Sequence, residues 1–373
     1  MKMISRRISA SAWLVMAVIL LSGFSSCNPG GTDIEDGPSL SWHIETVDTD
    51  TGGVGYLSLS LDSSGNPHIC YYDDPAESLM YGHFDGDAWQ SEAVDTSEWV
   101  GVYNDIVVDS TGIAQICYYD DSNQEFIYTR RDGQAWVPFT VDTGEYTGHW
   151  PSIALDQSDK PHISYRYGPD HDLKYAVWNG SSMDLSLVDT EGNVGAYSSI
   201  ALDIHDYPCI SYFDITNIDL KYARWNGTVW VTEAVDIEGY VGEYTSLDLD
   251  SDGNAHISYY RQSYGGNETY DLHYAVWDNG VWAIETVDSE GIDVVGWYTS
   301  IAVDDDNHPH ISYTDCTDSE LSYAFFNGSA WIIETIDTIG GSRCTSLALD
   351  AAGRPRIIYR DSNSVLKYAW YGK

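Results

Sequence analysis

Positive charge is scarce in this chain. Seventeen Lys and Arg stand against 58 Asp and Glu in 373 residues, for a formal net charge of −41. A field of that sign repels the phosphates of nucleic acids and anionic membrane surfaces, so neither is expected as a partner. Apolar runs of helical period are missing everywhere after the N-terminal segment, which excludes a helical bundle. A phosphate-binding glycine loop, a Cys/His metal spacing and any Ser-His-Asp or Cys-His arrangement are absent too. Catalysis is therefore the less favoured reading, and no cofactor is expected.

What is present is a repeat. Stretches such as "LSLDSSGNPHICYYD" from Leu59, "SIAVDDDNHPHISYTD" from Ser300 and "SLALDAAGRPRIIYRD" from Ser346 align on one aspartate each. The aligned set is Asp62, Asp109, Asp156, Asp203, Asp250, Asp304 and Asp350, spaced by 47 residues four times and then by 54 and 46. A period of that size points to a solenoid or a propeller. Within a unit, runs rich in Tyr, Ile, Val and Trp alternate with Asp, Gly and Asn, the signature of four short strands joined by tight turns.

The ends of the chain select a closed ring. A strand of the fourth type, "WHIETV", begins at Trp42 before any partner exists, while the last unit stops at "LKYAWYGK" after its third strand. If the first completes the last, no sheet edge is left open. The expected fold is all-β: a seven-bladed β-propeller with four antiparallel strands per blade, its C-terminal blade completed by the N-terminal strand, over residues 42–373. The motif at Leu59 to Asp73 resembles the secreted β-propeller-repeat proteins of bacteria, grouped loosely with sialidase-like propellers. The resemblance implies the fold; the sialidase box S-x-D-x-G-x-T-W is absent, so no activity follows from it.

Residues 1–27 carry Lys2, Arg6 and Arg7, an apolar centre from Trp13 to Leu21 and small residues before Cys27, which together read as an export signal. "FSSC" resembles a bacterial lipobox. It implies lipidation at Cys27, a flexible tether over 28–41 and a place at the outer membrane or cell surface, with ordinary signal cleavage and secretion as the alternative. Cys70, Cys117 and Cys209 replace Ser or His of other units and read as small core residues. Cys316 and Cys344, in loops expected on one face, are candidates for a disulfide.

Asp248, Asp250 and Asp252 with Gly253 mimic the start of a calcium loop, but the glutamate due at the twelfth position is Tyr259 and the flanks alternate like strands. Asp250 reads as a turn residue present in every unit, with weak, incidental Ca2+ binding left open. His68, His162, His256 and His310 come from four blades at equal depth and cannot converge on one ion.

Loops vary on the face opposite the uniform turns, and binding is expected there. Six residues before each turn aspartate stand Tyr56, Tyr103, Trp150, Tyr197, Tyr244 and Tyr298, with Cys344 in the seventh place. They should ring the mouth of the central channel, where aromatic faces stack on sugars or simply plug the funnel. Arg166, Arg261 and Arg360 follow second-strand tyrosines on the same face. The expected function is a non-catalytic, monomeric binding module for a glycan or an extracellular protein, touching a membrane only through the lipid anchor. A glycan-processing enzyme of sialidase or lyase type is the alternative.

Overall fold

The computed structural model describes residues 40–49, 56–263, 268–289, 294–338 and 344–373. The signal segment, Cys27 and nearly all of the tether lie outside them. Every regular element among the described residues is a β-strand, and the strands form seven four-stranded antiparallel sheets. Blade one comprises Leu57–Leu61, Pro67–Asp73, Ser78–Phe84 and Trp89–Asp95, and five further blades follow in chain order. Blade seven comprises Thr345–Leu349, Pro355–Arg360 and Leu366–Gly372 with Ser41–Asp48 as its fourth strand, pairing Trp42 with Tyr371 and Ile44 with Ala369. The first strand of each blade touches the first strand of the next, and Leu57–Leu61 touches Thr345–Leu349, so the ring is closed.

The repeated residues explain this architecture one by one. Each turn aspartate accepts, through one carboxylate oxygen, the backbone N–H groups two and four residues ahead, at 2.7–3.0 Å in all seven blades. In blade five Gly253 completes the turn at φ 81°. Asp250 is thus committed to a turn. Asp248 accepts from Leu249 and Val303 N–H instead, and Asp252 contributes its backbone N–H to Asp250, so the Asp248 and Asp250 carboxylates have separate tasks.

The core lies between blades, not within them. Ile69, Ile116, Ile163, Ile210, Ile257, Ile311 and Ile357 are fully buried, one per blade, in clusters that draw side chains from two neighbouring sheets. Burial of each is worth roughly 1.5–3 kcal/mol. Polar bonds fix the register of blade on blade. Tyr71 and its six equivalents each donate to the aspartate ending the fourth strand of the preceding blade, at 2.5–3.1 Å. His68, His162, His256 and His310 bond the hydroxyls of Tyr81, Tyr175, Tyr274 and Tyr323 through Nδ1. They are packed neutral histidines; burial lowers the pKa of all four, to about 4 for His68.

Candidate functional site

Along each innermost strand, side chains alternate between the blade interface and the central channel, as the two-residue period requires. Leu59 and Ile106 face the interface. Ser58 and its equivalents accept the N–H of the next blade's strand, giving a continuous ring of seven bonds at 2.8–3.4 Å in which Asp105 takes the place of one serine. Asp105 and Asp248 are the carboxylates of these layers. Burial raises both, Asp248 to about 6.

At the loop face the alternation is broken on purpose. The strand register shifts across Trp150, Tyr197, Tyr244 and Tyr298, and these four adopt left-handed backbone with φ between 47° and 55°. Such a conformation is costly for an aromatic residue, and a bulge re-aims the side chain it carries. Glycine two residues earlier makes it feasible. Gly148 has φ 95°, and a Cβ there would stand 2.3 Å from Phe126, while one on Gly242 would stand 2.9 Å from the Leu220 backbone. The repeated G-x-Tyr/Trp pattern is therefore a device for turning a ring toward the channel.

The result is a continuous belt. Ring centroids are 4.4 Å apart for Tyr56–Tyr103, 5.4 Å for Tyr103–Trp150, 5.1 Å for Trp150–Tyr197, 4.8 Å for Tyr197–Tyr244 and 4.5 Å for Tyr244–Tyr298. With Cys344 closing the circle, Tyr56, Trp150, Tyr197, Tyr244 and Tyr298 line a hollow of about 150 Å³ that Asn104, Ser198, Thr245, Thr299 and Thr345 also line. One ordered water needs only about 10–15 Å³ of such space, so the belt leaves room for a much larger group. The phenols of Tyr56, Tyr103, Tyr197 and Tyr244 are pushed up, chiefly by burial, and stay protonated donors at any ordinary pH.

The three arginines do not share a pocket. Arg166 donates to Asn193 from Nε (3.3 Å) and Nη2 (2.9 Å), meets His171 at 2.8 Å and lies over Trp150 with 5.8 Å to the ring centroid. Arg261 pairs with Asp236 at 3.7 Å and Glu238 at 3.5 Å. Arg360 is buried and donates to the Tyr72 carbonyl at 3.0 Å. Only Arg166 touches the belt. No disulfide joins Cys316 to Cys344, contrary to the expectation from their loops. The Cys316 N–H is bonded to Val294 and its thiol acts on Tyr260 of blade five, whereas Cys344 lies beside Tyr56. Cys316 thus neighbours blade five and Cys344 neighbours blade one.

Sequence reasoning missed a second aromatic group. His149 stacks on Tyr103, centroids 4.2 Å apart, and meets Tyr119, Tyr146 and Trp150 edge-on. Burial, then the charge of Arg166, lowers its pKa to about 4. Tyr146 and Trp99 are half exposed, both at φ 59°, on the two sides of the blade-two loop: Tyr146 N–H donates to the Tyr119 hydroxyl, and Asp121 N–H to the Trp99 carbonyl. Their signal in the sequence is a large ring four residues after a fourth-strand aspartate.

One trio that could hold a cation, Asp304, Asp306 and His308, lies on the blade-six turn, where Asp304 already serves as the turn cap found in every blade.

No protein-family model matches the sequence, and no curated protein matches it. Solved structures do resemble the fold. An ulvan lyase of polysaccharide lyase family PL25, bound to -[GlcA(1-4)Rha3S]-, is 14% identical with TM-score 0.63 over 87% of this chain and 94% of its own. YCF48 bound to D1 peptide is 11% identical with TM-score 0.58 over 89% and 95%. A mutant of AofleA from Arthrobotrys oligospora is 11% identical with TM-score 0.52 over 82% and 92%. At these identities the likeness is one of fold.

Proposed function

We propose that this propeller is a non-catalytic binding module for a glycan, which it receives at the aromatic mouth of its channel. The observation that carries the reading is the belt from Tyr56 to Tyr298: six rings in mutual contact, four of them carried on left-handed backbone and five of them lining an open hollow. Backbone strain at aromatic residues costs stability and is kept where it positions a group for use. Aromatic faces with polar tips suit the apolar faces and hydroxyls of sugars. The N-terminal segment that reads as an export signal and the lipobox-like "FSSC" around Cys27 support a location at the outer membrane or cell surface, with 28–41 as the tether. The ulvan lyase is one propeller whose name records a bound saccharide and YCF48 one whose name records a bound peptide, so the choice of glycan over protein rests on the belt.

A glycan array probed with the full-length protein, with and without chelator, tests this. Selective binding that falls about tenfold or more in Trp150→Ala or Tyr197→Ala is the expected result. Binding indifferent to both substitutions would overturn it.

The second reading, a lyase, has one observation in its favour: neutral His149 stacked on Tyr103 beside Arg166. Proton abstraction next to a carboxylate needs a base and a cation of this kind. Ultraviolet absorbance of an unsaturated product, released from uronate polysaccharides and abolished in His149→Ala, would establish it.

A further inference from the structure

The channel has a second hollow, at the end away from the aromatic mouth. It measures about 370 Å³ against about 150 Å³ at the mouth, and the two share no lining residue. Its walls are apolar, with Val107, Ile153, Leu155, Ile200, Leu202 and Leu249 drawn from four consecutive blades. Asp203, Ile204 and Asp250, in the turns between first and second strands, stand at its rim, and Ile204 is 69% exposed. The strand walls of this hollow carry a single charged residue, Asp248.

The fold does not require a charge there. The equivalent residues of the other blades are Ser60, Val107, Ala154, Ala201, Ala302 and Ala348. Asp248 accepts the Val303 N–H of the next blade at 2.8 Å, but Ser60 accepts the equivalent Val108 N–H at 3.1 Å without a charge, and four blades carry only alanine. The second carboxylate oxygen accepts the Leu249 N–H at 2.8 Å. Each oxygen thus has a lone pair to spare, and the side chain is not fully buried. No cation pairs with it among the described residues. The strand ends that flank 50–55, 264–267, 290–293 and 339–343 all lie on the opposite face of the ring. The carboxylate is ionised above about pH 6, and a charge set in an apolar wall costs free energy unless it is paired.

We propose that this hollow receives a small organic cation, a primary ammonium on an apolar body, with the ammonium on Asp248 and the body along the leucine and isoleucine walls. The site is separate from the glycan reading and does not depend on it. An ammonium brings one charge and three donors to one carboxylate. A calcium ion takes about six to eight oxygen ligands, and a sugar needs partners for hydroxyls that these walls do not offer. The net charge of −41, with Asp203 and Asp250 at the rim, draws cations toward the entrance. An apolar hollow with one well-placed polar group is the usual form of a small-ligand site.

The test is calorimetric titration of the full-length protein at pH 7.5 with n-hexylamine, which is protonated there, and with n-hexanol. Wild type should bind the ammonium about tenfold or more tightly than the alcohol. Asp248→Ala and Asp248→Asn should bind both equally, with the affinity for hexanol unchanged; alanine already fills this position in four blades, so the first variant suits the fold. Trp150→Ala, at the other end of the channel, should leave both affinities as they are. Equal wild-type affinities, or no binding of either compound, would overturn the proposal. So would a preference that survives Asp248→Ala, which would trace it to the overall charge, or one lost in Trp150→Ala, which would move the ammonium to the aromatic belt. Displacement of hexylammonium by equimolar Na+ or Ca2+ would assign Asp248 to an inorganic ion and overturn it as well.

Discussion

The hydroxyl of Tyr71 donates to Asp48 at 3.1 Å, tying blade one to the last residue of the strand that arrives from the N-terminus to complete blade seven. The same bond joins every other pair of adjacent blades, from Tyr118–Asp95 to Tyr359–Asp337. The junction where the chain closes on itself is therefore latched like the six where it runs on.

Removing residues 1–48 takes away the closing strand and the Asp48 acceptor together. The Leu366–Gly372 strand then presents an open edge, a template for pairing with other chains. Size-exclusion chromatography should show aggregation or loss of the folded peak, whereas removal of residues 1–39 alone should leave a folded propeller.

The bond also allows a graded test. Asp189 keeps Lys221 and the Glu191 N–H when Tyr212 is lost, whereas Asp95 keeps only the Ser97 N–H when Tyr118 is lost. An acceptor left short of partners costs more than the bond itself. Urea unfolding should give a loss of about 2 kcal/mol for Tyr118→Phe and about 1 kcal/mol for Tyr212→Phe. Equal losses would show that Lys221 does not support Asp189.

Much of this was legible in the sequence because a repeated fold states each structural task seven times. The turn aspartates, the blade count and the closing strand all follow from alignment of the units with themselves, and the spacing of six residues before each aspartate locates the aromatic belt. What was not legible depends on contacts between blades that do not repeat. Arg166 and Arg360 occupy equivalent positions, and only the surroundings reveal that the first is held by Asn193 and His171 and the second by the Tyr72 carbonyl. Cys316 and Cys344 come from loops of one face but have different neighbours, Tyr260 for the first and Tyr56 for the second, a distinction that loop order does not carry. Trp99 and Tyr146 sit in crossings, outside the motif that organises the rest.

Those two residues make a trade-off measurable. Both hold a left-handed backbone and half expose a large ring. Glycine at either position should relieve the strain and raise stability slightly, by about 0.5–1 kcal/mol in thermal unfolding. If the rings extend the binding face outward from the mouth, the same variants should weaken long oligosaccharides severalfold and leave disaccharides unaffected. Equal weakening of both would confine the sugar to the belt.

The channel predicts a pH dependence whose sign is set by one carboxylate. Where Asp248 stands, blades three, four, six and seven have Ala154, Ala201, Ala302 and Ala348. Burial raises its folded pKa from 3.8 to about 6, so the folded state holds the Asp248 proton more tightly than the unfolded chain does. Above pH 6 the group is ionised in both states, and the folded form bears a penalty on the order of 2 kcal/mol. As the pH falls from 6 toward 4 the folded state takes up the proton first, and the penalty disappears. Asp248→Ala should therefore be more stable than wild type near pH 7.5, despite losing the bonds to Leu249 and Val303, and the difference should shrink, then reverse, as the pH approaches 4. Chemical unfolding at the two ends of that range reads the sign directly. A difference independent of pH would mean that the Asp248 carboxylate is solvated in the channel as it is in the unfolded chain.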